Sequence, residues 1–86
     1  MTDTQDLALI VRGKAAEVLG VPIEEITEAT DLSQDYGIDS LELLEIAARV
    51  ERELGVRIKV TDLAEAKTVG HAIELLGARL ATERDG

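Results

Sequence analysis

The sequence predicts an all-α fold, a small four-helix bundle with three long helices, one short helix and a long first loop. Three segments of the 86-residue chain carry apolar residues at helical spacing. Glycine, proline and capping side chains stand at the ends of these segments, where helices begin and stop. Only residues 56–60 alternate as a strand would, and no second strand lies nearby to pair with them. We therefore expect a single domain over residues 1–86, with its core at about 5–81.

The first predicted helix runs from about Gln5 to Leu19, and a long connection follows it. The residues that face the core are Leu7, Ile10, Val11, Ala15 and Val18. Gly20 ends the helix and Pro22 prevents its continuation. The connection, residues 20–38, is longer than most loops of compact domains, and ordered loops of such length are usually functional. A short turn of helix is expected near 24–28, and the side chains expected to pin the connection to the core are Val21, Ile23, Ile26, Leu32 and Ile38.

The second predicted helix runs from about Ser40 to Leu54 and begins with a capping signal. Asp39 is placed to act as the N-cap, and Glu42 three residues later completes a capping box. Gly55 follows the helix as its stop. The core face consists of Leu43, Ile46, Ala47, Val50 and Leu54.

The residues of this second helix that are placed off its core face are Leu41, Leu44, Glu45, Ala48 and Arg52. The two leucines either extend the core or form an exposed apolar patch. Because Glu42 and Glu45 stand beside them, an exposed patch would have the composition of a docking surface.

The last third of the chain is predicted to hold a short third helix and a long final helix. An extended connection first buries Val56, Ile58 and Val60. Thr61 or Asp62 caps the short helix, which runs through Ala66. Thr68 then caps the final helix, which runs to about Ala81. Its core face consists of Val69, Ala72, Ile73, Leu76 and Leu80.

Negative charge is concentrated in one stretch of the chain. No lysine or arginine lies between Ala15 and Ala48, whereas this stretch holds nine carboxylates: Glu17, Glu24, Glu25, Glu28, Asp31, Asp35, Asp39, Glu42 and Glu45. Nine acids and no bases give the stretch a charge of −9, which equals the net charge of the whole chain. Ser40 lies within this field. The arrangement indicates that basic partner proteins act on this serine.

Composition excludes several classes of function. The chain has no cysteine, so it holds neither a disulfide framework nor a thiolate metal site nor a thiol nucleophile of its own. The acidic balance argues against nucleic acid and against anionic membrane surfaces as partners. No apolar run approaches the roughly 20 residues of a membrane span, and the acidic N-terminus lacks the basic start of a signal peptide. We expect a cytoplasmic monomer that binds neither nucleic acid nor membrane.

Ser40 is not expected to be a catalytic nucleophile. A serine hydroxyl needs an adjacent base and an oxyanion site, and the only histidine, His71, falls on the final predicted helix. The G-x-S-x-G pattern of many hydrolases is absent. A helix N-terminus instead offers free N–H groups and the positive end of a dipole, which suit a phosphodiester. We interpret Ser40 as an attachment point whose activating base belongs to another enzyme.

The run Gly37-Ile38-Asp39-Ser40-Leu41 resembles the phosphopantetheine attachment motif of acyl carrier proteins. The resemblance covers about residues 5–81. It includes the first helix, the acidic loop with Asp31-Leu32 and Tyr36-Gly37, the leucine-rich second helix, and Thr68-Val69 at the start of the final helix.

The resemblance implies that Ser40, flanked by Asp39 and Leu41, accepts 4′-phosphopantetheine from coenzyme A. A separate Mg²⁺-dependent phosphopantetheinyl transferase would carry out this transfer. The thiol of the arm would carry acyl groups as thioesters among synthases, reductases and acyltransferases with basic docking surfaces, and the chain itself would not be an enzyme. Family members dock through the second helix, which by position gives Asp39 at its start, followed by Glu42, Leu44, Glu45 and Ala48. In some relatives the aliphatic core also admits an acyl chain between the helices.

Three residues depart from the pattern of fatty-acid carriers. Arg49 and Arg52 fall where those carriers are commonly neutral or acidic, and Lys59 stands where many relatives have proline. These departures favour a discrete carrier of a polyketide or other secondary-metabolite pathway over a fatty-acid carrier. Peptidyl and aminoacyl carriers are a further alternative, although they commonly have a second glycine where Ile38 stands.

Two alternatives from other classes are a non-catalytic acidic interaction module and a Ca²⁺-binding module. Asp31, Ser33, Asp35, Ile38 and Glu42 occupy positions 1, 3, 5, 8 and 12 of an EF-hand loop. The match fails at position 6, which requires glycine and holds Tyr36. We therefore expect no dedicated metal site. The interaction-module alternative predicts that Ser40→Ala leaves function intact.

Overall fold

The computed structural model describes residues 4–85, with side chains described for residues 6–81. Within this range the regular structure is entirely helical, and no strand is present. The elements are α1 (Thr4–Leu19), a 3₁₀ turn (Ile23–Glu25), α2 (Leu32–Tyr36), α3 (Ser40–Leu54), α4 (Val60–Glu65) and α5 (Val69–Asp85). The predicted all-α class is confirmed, with α1, α3 and α5 as the three long helices. The final helix continues four residues beyond its predicted end at Ala81, because no glycine or proline interrupts it there.

One aliphatic core joins the helices. α1 contacts both α3 and α5, and α4 contacts the same two helices. The buried apolar side chains are Leu7, Val11, Ala15, Ala16, Ile26, Ile46, Ala47, Val50, Ile58, Leu63, Val69, Ala72, Ile73 and Leu76. Most of these buried side chains belong to the predicted core faces of the three long helices. The other residues of those faces are half-buried and pack against the core. Ala16 and Leu63 are buried as well, although the periodicity did not single them out.

The connection between α1 and α3 contains a helix, α2, that the sequence analysis did not predict. Asp31 is its N-cap, and the Asp31 Oδ1 atom accepts a hydrogen bond from the amide of Gln34 at 3.0 Å. Gly37 ends the helix in the left-handed region, with φ of 59°. Glycine adopts the left-handed conformation without steric strain, whereas residues with a Cβ atom are strained in it. An aspartate followed by a glycine six residues later was the signal that could have identified this short helix.

The first half of the same connection is fixed by Arg12 of α1. The Arg12 Nε atom donates to the carbonyl oxygen of Ile26 at 2.6 Å, and Nη2 reaches the carbonyl oxygen of Ile23 at 3.5 Å. Ile26 is completely buried. The predicted pinning of the loop by apolar side chains is confirmed, and the charged side chain of Arg12 contributes to it.

The second half of the connection is attached to the start of α5. The amide of Val69 donates to the carbonyl oxygen of Thr30 at 2.9 Å, and the amide of Gly70 donates to that of Glu28 at 2.8 Å. A Cβ atom at Gly70 would lie only 3.0 Å from the Glu28 carbonyl oxygen, so this close approach requires glycine. The predicted Thr68 cap is also formed, because its Oγ1 accepts from the amide of His71 at 3.2 Å.

The start of α4 differs from the prediction. The helix begins at Val60 rather than after Thr61 or Asp62, and Lys59 at its N-cap makes no side-chain capping bond. Asp62 is used elsewhere, because its Oδ2 accepts from Arg79 of α5 and lies 2.8 Å from Nη2 of that arginine. The Asp62 carboxylate therefore pairs with an arginine 17 residues away, although the local sequence predicts that it caps α4.

Candidate functional site

Ser40 is the first residue of α3, and a capping box holds the backbone on either side of it. The Asp39 Oδ1 atom accepts from the amide of Glu42 at 2.9 Å, and the Glu42 Oε1 atom accepts from the amide of Asp39 at 3.2 Å. The predicted cap is confirmed. The box leaves the amides of Ser40 and Leu41 without hydrogen-bond partners among the described residues, at the positive end of a 15-residue helix.

The hydroxyl of Ser40 is accessible and unengaged. Ser40 is exposed, and its side chain makes no hydrogen bond to any described residue. His71 is exposed near the start of α5, and its side chain is not hydrogen-bonded to Ser40. The site therefore holds a free hydroxyl beside two free amides. This arrangement can accept a group from another enzyme.

A cleft of about 220 Å³ opens beside Ser40. Its exposed members are Ser33, Asp39, Ser40, Ala64 and Lys67, and its buried members are Val11, Ala15, Ile46, Leu63, Val69 and Ala72. The lining therefore passes from a polar rim at the start of α3 to aliphatic side chains of α1, α3, α4 and α5. Such a cleft offers an apolar environment to a chain attached at its rim.

The outer face of α3 presents apolar side chains next to the serine. Leu41 is 75% exposed and Leu44 is 48% exposed, so the two leucines do not extend the core. Glu45 is exposed as well, whereas Glu42 and Ala48 are half-buried. Spacings of three and four residues put Leu41, Leu44, Glu45 and Ala48 on one helix face. The structure therefore places Leu44, Glu45 and Ala48 of the predicted docking residues on one face with Leu41, and Glu42 lies three residues before Glu45 on the same helix.

A network of ion pairs joins α1 to α3 at one end of this face. Arg49 Nη1 lies 3.0 Å from Oε1 of Glu17, and Arg49 Nη2 lies 3.7 Å from Oε1 of Glu45. Lys14 Nζ lies 3.5 Å from Oε2 of Glu17 and 3.3 Å from Oε1 of Glu53. Glu17 and Glu45 belong to the stretch without lysine or arginine, and bases from just outside that stretch pair with them. The spacings Glu45–Arg49 and Lys14–Glu17 were signals of two of these pairs.

Comparison with known proteins decides the family. A family model described as a phosphopantetheine attachment site matches residues 10–76 of this chain. The chain belongs to the acyl carrier protein family. An acyl carrier protein of Saccharopolyspora erythraea is 50% identical over 70 residues, which cover 78% of this chain and 74% of that protein.

Two further relatives extend the comparison over more of the chain. Polyketide-8 synthase acyl carrier protein 2 of Streptomyces avermitilis is 35% identical over 74 residues, covering 86% of this chain and 85% of that protein. An acyl carrier protein of Thermotoga maritima is 31% identical over 80 residues, covering 93% of this chain and 99% of that protein. The role of this protein is that of a carrier, and its prosthetic group is 4′-phosphopantetheine.

The residues around Ser40 fit this prosthetic group. A phosphodiester on the hydroxyl would have the free amides of Ser40 and Leu41 as its neighbours at the helix N-terminus, where anions are stabilised. The group supplies a terminal thiol, which the sequence lacks because it has no cysteine. Members of the family are generally non-catalytic, and the carrier role implies contacts with synthases and transferases.

The candidate calcium loop takes a different conformation. Residues 32–36 form α2 within it, and the Asp35 Oδ2 atom accepts from the amide of Asp31 at 3.0 Å. Asp31 is the N-cap of the same helix. Among the described side chains, no group of three or more histidine, cysteine, aspartate or glutamate residues is arranged to hold a metal ion. None of the described helices is both long and apolar enough to span a bilayer.

Tyr36, the last residue of α2, is the titratable group near the site whose pKa is shifted. Desolvation raises the pKa of its hydroxyl above the usual 10.0, and the carboxylates of Glu25 and Asp35 raise it further. A hydrogen bond to Glu25 acts in the same direction. The folded protein therefore holds the proton of this hydroxyl more tightly than a free tyrosine does.

Proposed function

We propose that Ser40 is the residue that bears 4′-phosphopantetheine, and that the thiol of this arm carries acyl intermediates as thioesters between enzymes of polyketide- or fatty-acid-type biosynthesis. The observation that carries the proposal is the unengaged hydroxyl of Ser40 at the first position of α3, beside two free amides and at the rim of an apolar cleft. The chain itself has no catalytic activity in this account. A phosphopantetheinyl transferase joins Ser40 Oγ to the phosphopantetheinyl phosphate of coenzyme A and releases the adenosine bisphosphate portion.

The outer face of α3 is the proposed docking surface for partner enzymes, and its residues are Leu41, Glu42, Leu44, Glu45 and Ala48. Two observations support it. The leucines are exposed at the end nearest Ser40, and carboxylates stand among them. Apolar contact provides affinity at such a surface, while the charges steer basic partners and set their orientation. The partners are the transferase, synthases and acyltransferases, and Asp39 contributes to recognition by the transferase.

Three features favour a polyketide or other secondary-metabolite pathway. Arg49 and Arg52 interrupt the acidic helix, and Lys59 stands at the N-cap of α4. The relative from Streptomyces avermitilis is named for a polyketide synthase. A peptidyl or aminoacyl carrier is the second candidate, and Ile38 in place of glycine is the residue that argues against it. We propose further that residues 1–86 act as a single monomeric domain in the cytoplasm.

The carrier proposal is tested by loading the wild-type protein. The chain is incubated with coenzyme A, Mg²⁺ and a broad-specificity phosphopantetheinyl transferase, and intact mass and free thiol are measured together. We expect the mass to rise by one phosphopantetheine, and one thiol to appear in a chain that has no cysteine. A folded sample that gains neither mass nor thiol would overturn the proposal and favour the acidic interaction module.

A further inference from the structure

Arg49 lies at the edge of the docking surface and is held by two carboxylates, Glu45 of that surface and Glu17 of α1. It stands one helical turn after Glu45 on α3, and Nη2 lies 3.7 Å from Oε1 of that residue. Nη1 reaches across to α1 and lies 3.0 Å from Oε1 of Glu17. Both contacts are made by the terminal nitrogens of the guanidinium, while Arg49 Nε is buried and has no hydrogen-bond partner within the part of the chain that the structure describes. The side chain is therefore fixed over the helix rather than extended into solvent.

The neighbouring arginine behaves differently. Arg52 follows three residues later on the same helix, is exposed, and makes no ion pair with any described residue. Each arginine carries one positive charge, so the two make equal contributions to the net charge of the chain. Only Arg49 lies against a carboxylate of the proposed docking surface. A comparison of the two therefore separates local pairing from overall charge.

The ion pairs divide the docking surface into two electrostatically different ends. At the Ser40 end, the carboxylates of Asp39 and Glu42 are bonded to backbone amides and face no lysine or arginine within ion-pair distance among the described side chains. At the far end, Glu45 already has Arg49 as its partner. A cation on an incoming protein must compete with this internal arginine for Glu45, and that competition lowers the attraction. The arginine itself stays anchored through Glu17.

We propose that Arg49 is a specificity-determining residue that competes internally with partner cations for Glu45. This inference rests on the proposed docking role of α3. The partner that fits such a surface places its basic side chains over the Ser40 end and an apolar contact over Leu44 and Ala48. A partner that relies on a row of cations along the whole of α3 is disfavoured. Arg49 therefore selects among basic partners instead of contributing an attractive charge.

The test compares Arg49→Gln with Arg52→Gln, since each variant removes one positive charge from α3. The probe is a broad-specificity phosphopantetheinyl transferase, and the measurement is kcat/KM for loading of Ser40 at low ionic strength, followed by intact mass. We expect Arg49→Gln to raise kcat/KM about two- to fivefold above the Arg52→Gln value, because an exposed ion pair contributes a modest factor of this order. The excess should shrink as salt is added. Equal rates for the two variants would overturn the proposal.

A second pair of variants tests whether the effect acts through Glu45. In a Glu45→Gln background, Arg49→Gln should have no advantage over Arg52→Gln, and an advantage that persists would overturn the proposal. In the Arg49→Gln background, Glu45→Gln should slow loading. If Glu45→Gln does not slow loading in that background, the docking role of α3 fails. A further variant, Glu45→Lys, separates the two proposals. If it slows loading while Arg49→Gln and Arg52→Gln load at equal rates, only the role of Arg49 is refuted. Thermal unfolding checks each variant, and Arg49→Met replaces Arg49→Gln if the latter does not fold.

Discussion

Asp39 combines a structural role with a proposed recognition role. Its side chain accepts the amide of Glu42 at 2.9 Å and stabilises the start of α3, while its charge lies beside the serine that the transferase must approach. Asparagine caps helices as well as aspartate does, so Asp39→Asn removes the charge and keeps the cap. We expect this variant to lose less than about 0.5 kcal/mol of stability, whereas Asp39→Ala loses about 1 kcal/mol.

Both Asp39 variants should load more slowly than the wild-type protein, since both remove the charge that attracts a basic transferase. Thermal unfolding and loading kinetics, measured on the same samples, separate the two roles. An Asp39→Asn protein that loads at the wild-type rate would show that Asp39 is a cap and nothing more.

Tyr36 provides a pH-dependent measurement on a single residue. It is the only aromatic residue in the chain, so its tyrosinate absorbance can be followed without interference. Desolvation and the Glu25 and Asp35 carboxylates raise its pKa above 10.0, and the folded protein therefore holds this proton more tightly than the unfolded chain does. The associated stability is fully present below the unfolded pKa of about 10 and is lost as the pH rises through the folded value.

We expect the absorbance midpoint of Tyr36 to lie at higher pH in the folded protein than in urea. Tyr36→Phe should remove the corresponding loss of stability in the alkaline range. If the folded and the urea-unfolded protein titrate at the same pH, the contacts of Tyr36 with Glu25 and Asp35 are not those described.

At the scale of elements, the first half of the long connection is bonded to one side chain of α1. The Arg12 guanidinium donates to the carbonyl oxygen of Ile26 at 2.6 Å, beneath a loop that has few other bonds to α1. Hydrogen bonds made by a charged donor contribute about 1.5–3 kcal/mol. We expect Arg12→Met, which keeps the apolar length of the side chain, to lower the free energy of unfolding by about this amount.

Arg57 is the matched control for Arg12. It is exposed and has no hydrogen bond or ion pair with a described residue, so Arg57→Met should change stability by less than about 0.5 kcal/mol. Urea unfolding of both variants is the measurement. If the two substitutions lower the free energy of unfolding equally, the hydrogen bond from Arg12 to Ile26 contributes no specific stability.

The sequence predicted those elements that are defined by local signals. The capping box of Asp39 and Glu42 was anticipated because its partners are three residues apart, and the helical faces followed from apolar periodicity. The bond from Arg12 to Ile26 spans 14 residues, and that from Arg79 to Asp62 spans 17. Neither leaves a local pattern. For this reason the sequence predicted neither the bond from Arg12 to Ile26 nor the start of α4.

For the candidate site, too, the sequence predicted the local features and not the long-range pair. Ser40, its cap and the α3 face lie on one continuous segment, so the sequence was enough to bring them together. The pairing of Arg49 with Glu17 joins residues 32 positions apart on two helices and needed the fold. The structure therefore shows which carboxylates of the acidic stretch Arg49 compensates, namely Glu17 and Glu45.

For the molecule as a whole, charge and stability are linked. Residues 15–48 hold nine carboxylates and no base, and Lys14 and Arg49 compensate this charge from just outside the stretch. Repulsion among the remaining carboxylates acts against the compact state. We expect the melting temperature of the unmodified protein to rise with added NaCl or MgCl₂, because both salts screen this repulsion.

Added salt could also lower the melting temperature, and that result would be informative. Salt also weakens the exposed ion pairs of Lys14 and Arg49, which would lower the melting temperature. A melting temperature that falls or stays constant in calorimetry would mean that the four pairs made by Lys14 and Arg49 balance or outweigh the repulsion.

The central claim is that Ser40 is the attachment residue, and the chain provides its own matched control. It contains two serines, Ser33 and Ser40, both exposed and both lining the same cleft. The most direct measurement is the intact mass of Ser40→Ala and Ser33→Ala after incubation with coenzyme A, Mg²⁺ and the transferase. We expect Ser33→Ala to gain one phosphopantetheine, and we expect Ser40→Ala, with wild-type melting behaviour, to gain none. A mass gain on Ser40→Ala would contradict the central claim.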